Sequence, residues 1–268
     1  MIGNPCPRPK AADFQRVPRE LSKQRIQTTV KDRTDNSIGA EGQAAEWNLM
    51  PWDIIEKSIR KLRRRIFRAT CEQKWNVVRS LMKLMLRSYF NLLVSVRQVT
   101  QRNKGKKTAG VDGELALTPP QRMALVQSMG GYTFWKAKPT KRIYIPKAGK
   151  PGQHRPLGIP TIRNRVAQAI AKNALEPSWE ARFEPNSYGF RPGRSTHDAI
   201  EHCFSLLNKR TRRPWILDAD LKSAFDKISH EHILKAIGPM PGRELIRGWL
   251  LFRYRNYNHY SDYRDCSD

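Results

Sequence analysis

From Trp47 onward apolar residues recur at helical spacing. Ile55, Ile59, Leu62 and Ile66 fall on one side of a helix, with "RKLRRR" interleaved on the other. A second run, "VVRSLMKLMLRSYFNLLVSVRQVT" (77–100), predicts more helix with basic residues of its own. On spacing alone these arginines fit a solvated face or an RNA-facing helical hairpin equally well. "QRNKGKKTAGVDG" (101–113) breaks the pattern as a basic, glycine-containing loop. Thr118 as N-cap and Pro119 at the first helical position then open a helix through Met129. "KRIYIPKAGKPGQHRPLGIPT" (141–161) predicts a β-hairpin with a flexible basic tip, followed by a helix over "RNRVAQAIAKNAL" (163–175). "FEPNSYGFRPGRS" (183–195) is turn-rich. Ser195 or Thr196 then caps a helix whose Ala199, Ile200, Cys203, Phe204 and Leu207 form an apolar stripe. "RRPWILDADL" (212–221) predicts the clearest buried strand, and Ser229 caps "HEHILKAI".

The two ends of the chain lack such periods. Residues 1–44, rich in Pro, Lys, Arg, Gln and Thr, predict a disordered basic leader. The tail "FRYRNYNHYSDYRDCSD" is crowded with Tyr, Asn, Asp and Arg and predicts a segment that does not complete the fold.

Charge sharpens this picture. Lys and Arg number 50 against 24 Asp and Glu, a net charge of +26 with pI near 10.4, and the mean hydropathy is -0.68. Such an excess exceeds what solubility asks of a small domain and points to a polyanionic partner, nucleic acid ahead of an anionic membrane. No apolar stretch approaches the roughly 18–20 residues of a membrane span. The four cysteines, Cys6, Cys71, Cys203 and Cys266, are too scattered for a zinc module or a disulfide framework. His230 and His232, flanking Glu231, fit solvated residues of a first helical turn.

Three stretches carry candidate chemistry. Asp218 and Asp220 stand two apart, so on a strand their carboxylates leave the same face, either as metal ligands or as ordinary acids at a strand end. Lys141, Arg142, Lys147 and Arg155 on the hairpin could reach a triphosphate or a nucleic-acid backbone. No Gly-Lys-Ser/Thr loop is present, which argues against a P-loop nucleotide site. In "NSYGFRPGRS", Gly189 and Gly193 allow close approach, Arg191 and Arg194 supply charge, and Tyr188 and Phe190 offer stacking surfaces.

Taken in order, "NKGKKTAGVDG", "IPKAGKPGQHRPLGIPTIRNRVAQAI", "FEPNSYGFRPGRSTHDAI" and "ILDADLKSAFDKISHEHI" closely resemble the first half of a group II intron-encoded reverse transcriptase/maturase. Residues from Trp47 to about Thr100 are similar to that family's N-terminal domain. The implied fold is α/β, of the mixed α+β kind. A helical N-terminal region would occupy 45–115, fingers and an incomplete right-hand polymerase palm 116–250, and a tail outside the family 251–268. The implied activity is RNA-directed DNA polymerisation with Mg²⁺, and the implied partners are intron RNA, an RNA template with a DNA primer, and dNTP, with no membrane.

Residue by residue, the resemblance makes Asp220 the first metal-binding aspartate and the carbonyl of Leu221 a further ligand. Phe225 would exclude a 2′-hydroxyl. Lys147 and Arg155, with Lys141 and Arg142 beside them, would contact the nucleotide. Arg191, Arg194, the loop lysines Lys104, Lys106 and Lys107, and Arg163 and Arg165 would line the nucleic-acid path.

The sequence also departs from the family. Its Tyr-Ala-Asp-Asp motif, source of the other catalytic carboxylates, occurs nowhere in residues 1–268. Truncation or frameshift is the expected cause, and a second chain supplying the C-terminal half is a further possibility. The fragment is expected to be inactive as a polymerase. Two other readings stay open: a non-catalytic splicing factor, and a decayed remnant that binds nucleic acid generally. A cytoplasmic setting of bacterial type is expected, with an organelle also open.

Overall fold

The computed structural model describes residues 40–130, 137–149, 151–207, 215–221, 224–251 and 254–256. The chain is helical with one small sheet, an α+β arrangement. Helix α1 (Ala40–Asn48) comes first, so residues 40–44, expected to belong to the leader, are helical; residues 1–39 lie outside the described residues.

Helix α2 (Trp52–Cys71) buries Ile55, Ile59 and Ile66, as the spacing predicts. The run 77–100, read as continuous helix, is interrupted. Helix α3 (Trp75–Leu86) ends, Ser88 takes an extended conformation, and its Oγ accepts the Asn91 N–H to start α4 (Tyr89–Arg97). A π-helical turn (Gln98–Arg102) and a 3-10 turn (Lys104–Lys107) give the basic loop more order than its composition suggests.

Helix α5 (Pro119–Met129) begins where expected, with the Gln121 carbonyl oxygen accepting the N–H groups of Leu117 (2.9 Å) and Thr118 (3.1 Å). Strands β1 (Thr140–Pro146) and β2 (His154–Ile159) form the predicted hairpin, pairing Lys141 with Ile159 and Ile145 with Arg155.

Helix α6 (Ile162–Glu180) outruns its expected end at Leu175 and passes through Pro177. The proline lacks the N–H that would bond the carbonyl of Asn173, yet its own carbonyl accepts the N–H of Ala181 at 3.3 Å and its side chain is buried. Burial overrides the local preference.

The core unites α1 to α6. Trp47, Ile55, Ile66, Met85, Leu93, Val126 and Val166 are buried in one cluster, and Trp47 meets Trp52 edge-on at 4.9 Å. A buried polar network crosses it. Asn91, wholly inaccessible, donates through Nδ2 to the carbonyls of Met85 (3.0 Å) and Ile170 (3.2 Å). Its Oδ1 accepts from Asn173 at 2.7 Å, and Asn173 in turn accepts from Arg63, which is ion-paired with Glu176.

Beyond α6 the packing thins. Helices α7 (Thr196–Leu207), α8 (Ala224–Lys227), α9 (His230–Ile237) and α10 (Arg243–Leu251) contain no buried residue among those described. Ser229 caps α9 as predicted, accepting the His232 N–H at 3.2 Å. Leu245 and Trp249 of α10 pack against the N-terminal core.

Three expectations for this region are corrected. The α7 stripe is exposed, Phe204 at 75%. The expected buried strand 212–221 is irregular and exposed over 215–221, with Trp215 and Leu217 each at 91%; residues 212–214 lie outside the described residues. A run apolar on both faces needs cover on both, and among the described residues nothing supplies it. The tail contributes structure: β3 (Tyr254–Asn256) pairs parallel with β1, giving the sheet order β2-β1-β3. Residues 257–268 lie outside the described residues.

The network yields a stability prediction. Asn91→Ala removes the buried donor to the Met85 and Ile170 carbonyls and the acceptor of the Asn173 amide, and is expected to cost about 1–3 kcal/mol. Urea unfolding with a midpoint equal to that of the wild type would contradict the role assigned to Asn91.

Candidate nucleic-acid interface

Helix α2 divides its surface by chemistry. Opposite the buried isoleucines, Lys57, Lys61, Arg64 and Arg68 follow one another at i, i+4, i+7 and i+11, with Arg60 and Arg65 flanking; all six are exposed. None enters an ion pair among the described residues. The acids of α2 lie elsewhere: Glu56 pairs with Arg97 (3.0 Å) and Arg102 (2.5 Å). Among the candidate site residues the α2 stripe was missing, although its signal was present as "RKLRRR" at core-opposed spacing.

The basic loop is held by the residues expected to share its role. Arg165 donates to three main-chain carbonyls, those of Pro160 (2.9 Å), Gly105 (3.1 Å) and Thr108 (2.6 Å). Burial lowers the pKa of its guanidinium, and Asp112 opposes the shift. Arg163 pairs with Glu114 at 3.2 Å, and Lys138 with Asp112 at 3.6 Å. Gly110 is pressed against the N-cap of α6, where a Cβ would stand 2.5 Å from Thr161 Cα. Arg163 and Arg165 thus brace the loop, while Lys104 and Lys107 are exposed on it; the Lys106 ammonium donates to the Gln101 carbonyl at 3.0 Å.

On the hairpin, residues directly opposite share a face and neighbours alternate. Lys141 and Arg155 therefore fall on one face with Ile143, Ile145 and Leu157, whereas Arg142 falls on the other, its guanidinium 5.5 Å from the Tyr144 ring. Lys147 sits at the start of the turn, its N–H bonded to the Gln153 carbonyl at 2.8 Å. The strands place Lys141 and Arg155 on one face and Arg142 on the other, with Lys147 beyond them at the turn.

In the α6–α7 loop the two arginines part company. Arg191 is 9% exposed and turned inward. It grips the Glu180 carboxylate with Nε (3.1 Å) and Nη2 (2.7 Å), and Nη1 donates to the carbonyls of Glu184 and Ser187, both at 2.7 Å. The bond to Glu180 holds its pKa above the ordinary value. A guanidinium so engaged orders the loop instead of facing a template. Arg194 is exposed, 5.6 Å from the Tyr188 ring. Ser195 and Asp198 cap α7 reciprocally, and these hydrogen bonds lower the Asp198 pKa. Arg182 stands over Trp179 (4.3 Å) and Trp75 (5.8 Å).

Asp218, Asp220 and Leu221 lie together on the exposed stretch 215–221, and Phe225 falls within α8. Among the described residues no three His, Cys, Asp or Glu side chains come together to hold a metal ion. The carboxylates present do not fit a two-ion centre, which needs ligands from several directions.

Two family models match this chain: the N-terminal domain of reverse transcriptase over residues 47–129, and reverse transcriptase (RNA-dependent DNA polymerase) over residues 145–266. The chain belongs to the reverse-transcriptase family, and relatives it is similar to include proteins named for group II introns and maturases. The second match runs past residue 250, where the resemblance was expected to stop. Protein YkfC of Escherichia coli (strain K12) is 37% identical over 153 residues, 54% of this chain and 39% of its own length. The group II intron-encoded protein LtrA of Lactococcus lactis subsp. cremoris is 30% identical over 168 residues, 60% of this chain and 27% of its own. Maturase-like protein 1 of Euglena gracilis is 29% identical over 191 residues, 69% and 41% respectively. The chain spans less than half the length of each of these relatives. No helix among the described residues is long and apolar enough to cross a membrane.

The bracing of the basic loop is testable by proteolysis. Gly110→Ala forces the loop away from Thr161 and is expected to speed tryptic cleavage after Lys104, Lys106 and Lys107. Cleavage at the wild-type rate would show that the loop is held without that contact.

Proposed function

We propose that this chain is the RNA-binding N-terminal part of a group II intron-encoded reverse transcriptase/maturase, and that intron RNA lies against the basic face of α2 and the loop 104–107. One observation carries this reading: six exposed cations on α2 oppose its buried face and none enters an ion pair among the described residues. Unpaired cations in register along a helix suit a phosphate backbone, whose binding is driven by counterion release. Lys141, Lys147 and Arg155 are assigned to the incoming dNTP and Arg194 to the template–primer path, and Arg142, on the opposite face, supports the hairpin. Asp220 and the Leu221 carbonyl would ligate Mg²⁺ and Phe225 would pack beneath the sugar, once carboxylates from outside residues 1–268 complete the site. Those carboxylates could come from a complementing segment. A bacterial-type cytoplasm is the assigned compartment, by analogy with the Escherichia coli and Lactococcus lactis relatives.

The exposed, irregular setting of Asp220 favours a second reading, in which the chain assists splicing without polymerising. Intron splicing restored by the Asp220→Ala chain would support it.

Two outcomes check the main reading. Replacing Lys57, Lys61, Arg64 and Arg68 together by Gln is expected to weaken RNA binding and to flatten the log K against log salt plot by about 0.7–0.9 per lost contact. An unchanged slope removes α2 from the interface. The 268-residue chain supplied with Mg²⁺, dNTPs and a primed RNA template is expected to extend no primer, since it carries no Tyr-Ala-Asp-Asp motif. Extended product would refute this part of the reading.

A further inference from the structure

The α6–α7 loop places three neighbouring side chains in three different settings. Arg191 turns inward onto Glu180. Tyr188 is half-buried between Arg194 and His202, its ring centroid 5.9 Å from the imidazole. Phe190 is 100% exposed. Its φ is 57°, a left-handed conformation that bulky residues rarely adopt, although Gly189 next to it would take that conformation without strain. Strain of this kind persists only where the surroundings enforce it. Arg191 does so here, binding the carbonyls of Glu184 and Ser187 ahead of Phe190 and Glu180 at the end of α6. The loop is built to hold a large apolar ring in water.

We propose that Phe190 is a stacking platform for unpaired bases of a nucleic-acid strand, an inference that rests on the RNA-binding reading above. Three observations select this occupant. At full exposure the ring packs against no other side chain, and Pro192 is the one other apolar residue of its turn, where Gly189, Arg191 and Gly193 complete the set, so the turn itself does not make the broad apolar patch a protein partner would bury. Arg194 is exposed in the same loop, four residues on, and supplies a cation for the phosphate beside a stacked base. The chain as a whole carries +26. Bases in a duplex hide their faces in the helical stack, so the ring discriminates single strands from double strands, a distinction that lysines and arginines alone do not make. Stacking is sequence-tolerant because every base offers a π-face. Arg191, expected from sequence to contact the template, acts as a positioning residue that aims the ring.

The test uses the full chain, a single-stranded RNA carrying one 2-aminopurine, and a hairpin duplex of equal length. Phe190→Ala is expected to weaken single-strand binding by about 5- to 150-fold, leave duplex binding unchanged and abolish the quenching of 2-aminopurine. Phe190→Trp is expected to retain affinity and quenching. Phe190→Ala that binds the single strand as the wild type does, or that loses both RNAs equally, overturns the proposal. A wild-type chain with no affinity for either RNA would instead overturn the RNA-binding reading on which it stands.

Discussion

The amide of Asn91 is the constraint on which the helical region turns. It is wholly buried and joins α4 to the last turn of α3 and to the main chain of α6, through the carbonyls of Met85 and Ile170. A buried amide stabilises only while its partners stay in place, because an unsatisfied one costs more than a satisfied one contributes. The surrounding aliphatic side chains could slide past one another at small cost; the amide cannot. Together with Asn173, Arg63 and Glu176, it fixes α2, α4 and α6 in one register.

Helix α6 then passes that register on to the surfaces at its two ends. At its start, Thr161, Arg163 and Arg165 fasten the basic loop. At its finish, Glu180 fastens Arg191 and so the turn that presents Phe190. The middle of the same helix holds the N-terminal bundle, whose α2 shows its cations to solvent. Three basic or aromatic surfaces of this chain are thereby mounted on one rigid element. For the proposed RNA ligand, surfaces held at fixed spacing favour specific over diffuse attraction.

Much of this was legible in the sequence, and the failures share a cause. The helical periods of α2 and α5, the hairpin and the Ser229 cap follow from local rules of spacing and hydrogen bonding, and local rules survive in the fold. The passage of α6 through Pro177 was not legible, because tertiary burial decides it. Nor was the division among the arginines. Arg163, Arg165, Arg191 and Arg194 look alike as basic residues in sequence, yet three are engaged by a carboxylate or by carbonyls brought near only by folding. The α2 stripe could be distinguished beforehand because its cations oppose a core face and no acid interrupts the run from Lys57 to Arg68.

The stretch from Trp215 to Leu221 presents the opposite case, in which the pattern is clear and the fold does not use it. Trp215, Ile216 and Leu217 are consecutive apolar residues, the signature of a strand covered on both faces. Here they are exposed, and Asp218 and Asp220 stand exposed on an irregular backbone. A metal-binding aspartate acts only when its strand is pinned, since ligand directions must hold to a fraction of an ångström. For the metal role proposed for Asp220, cover of the apolar run and completion of the site are therefore one requirement: neighbours that bury Leu217 and Leu221 also fix the direction of Asp220. The N-terminal surfaces need no such help, because Asn91 and α6 already hold them.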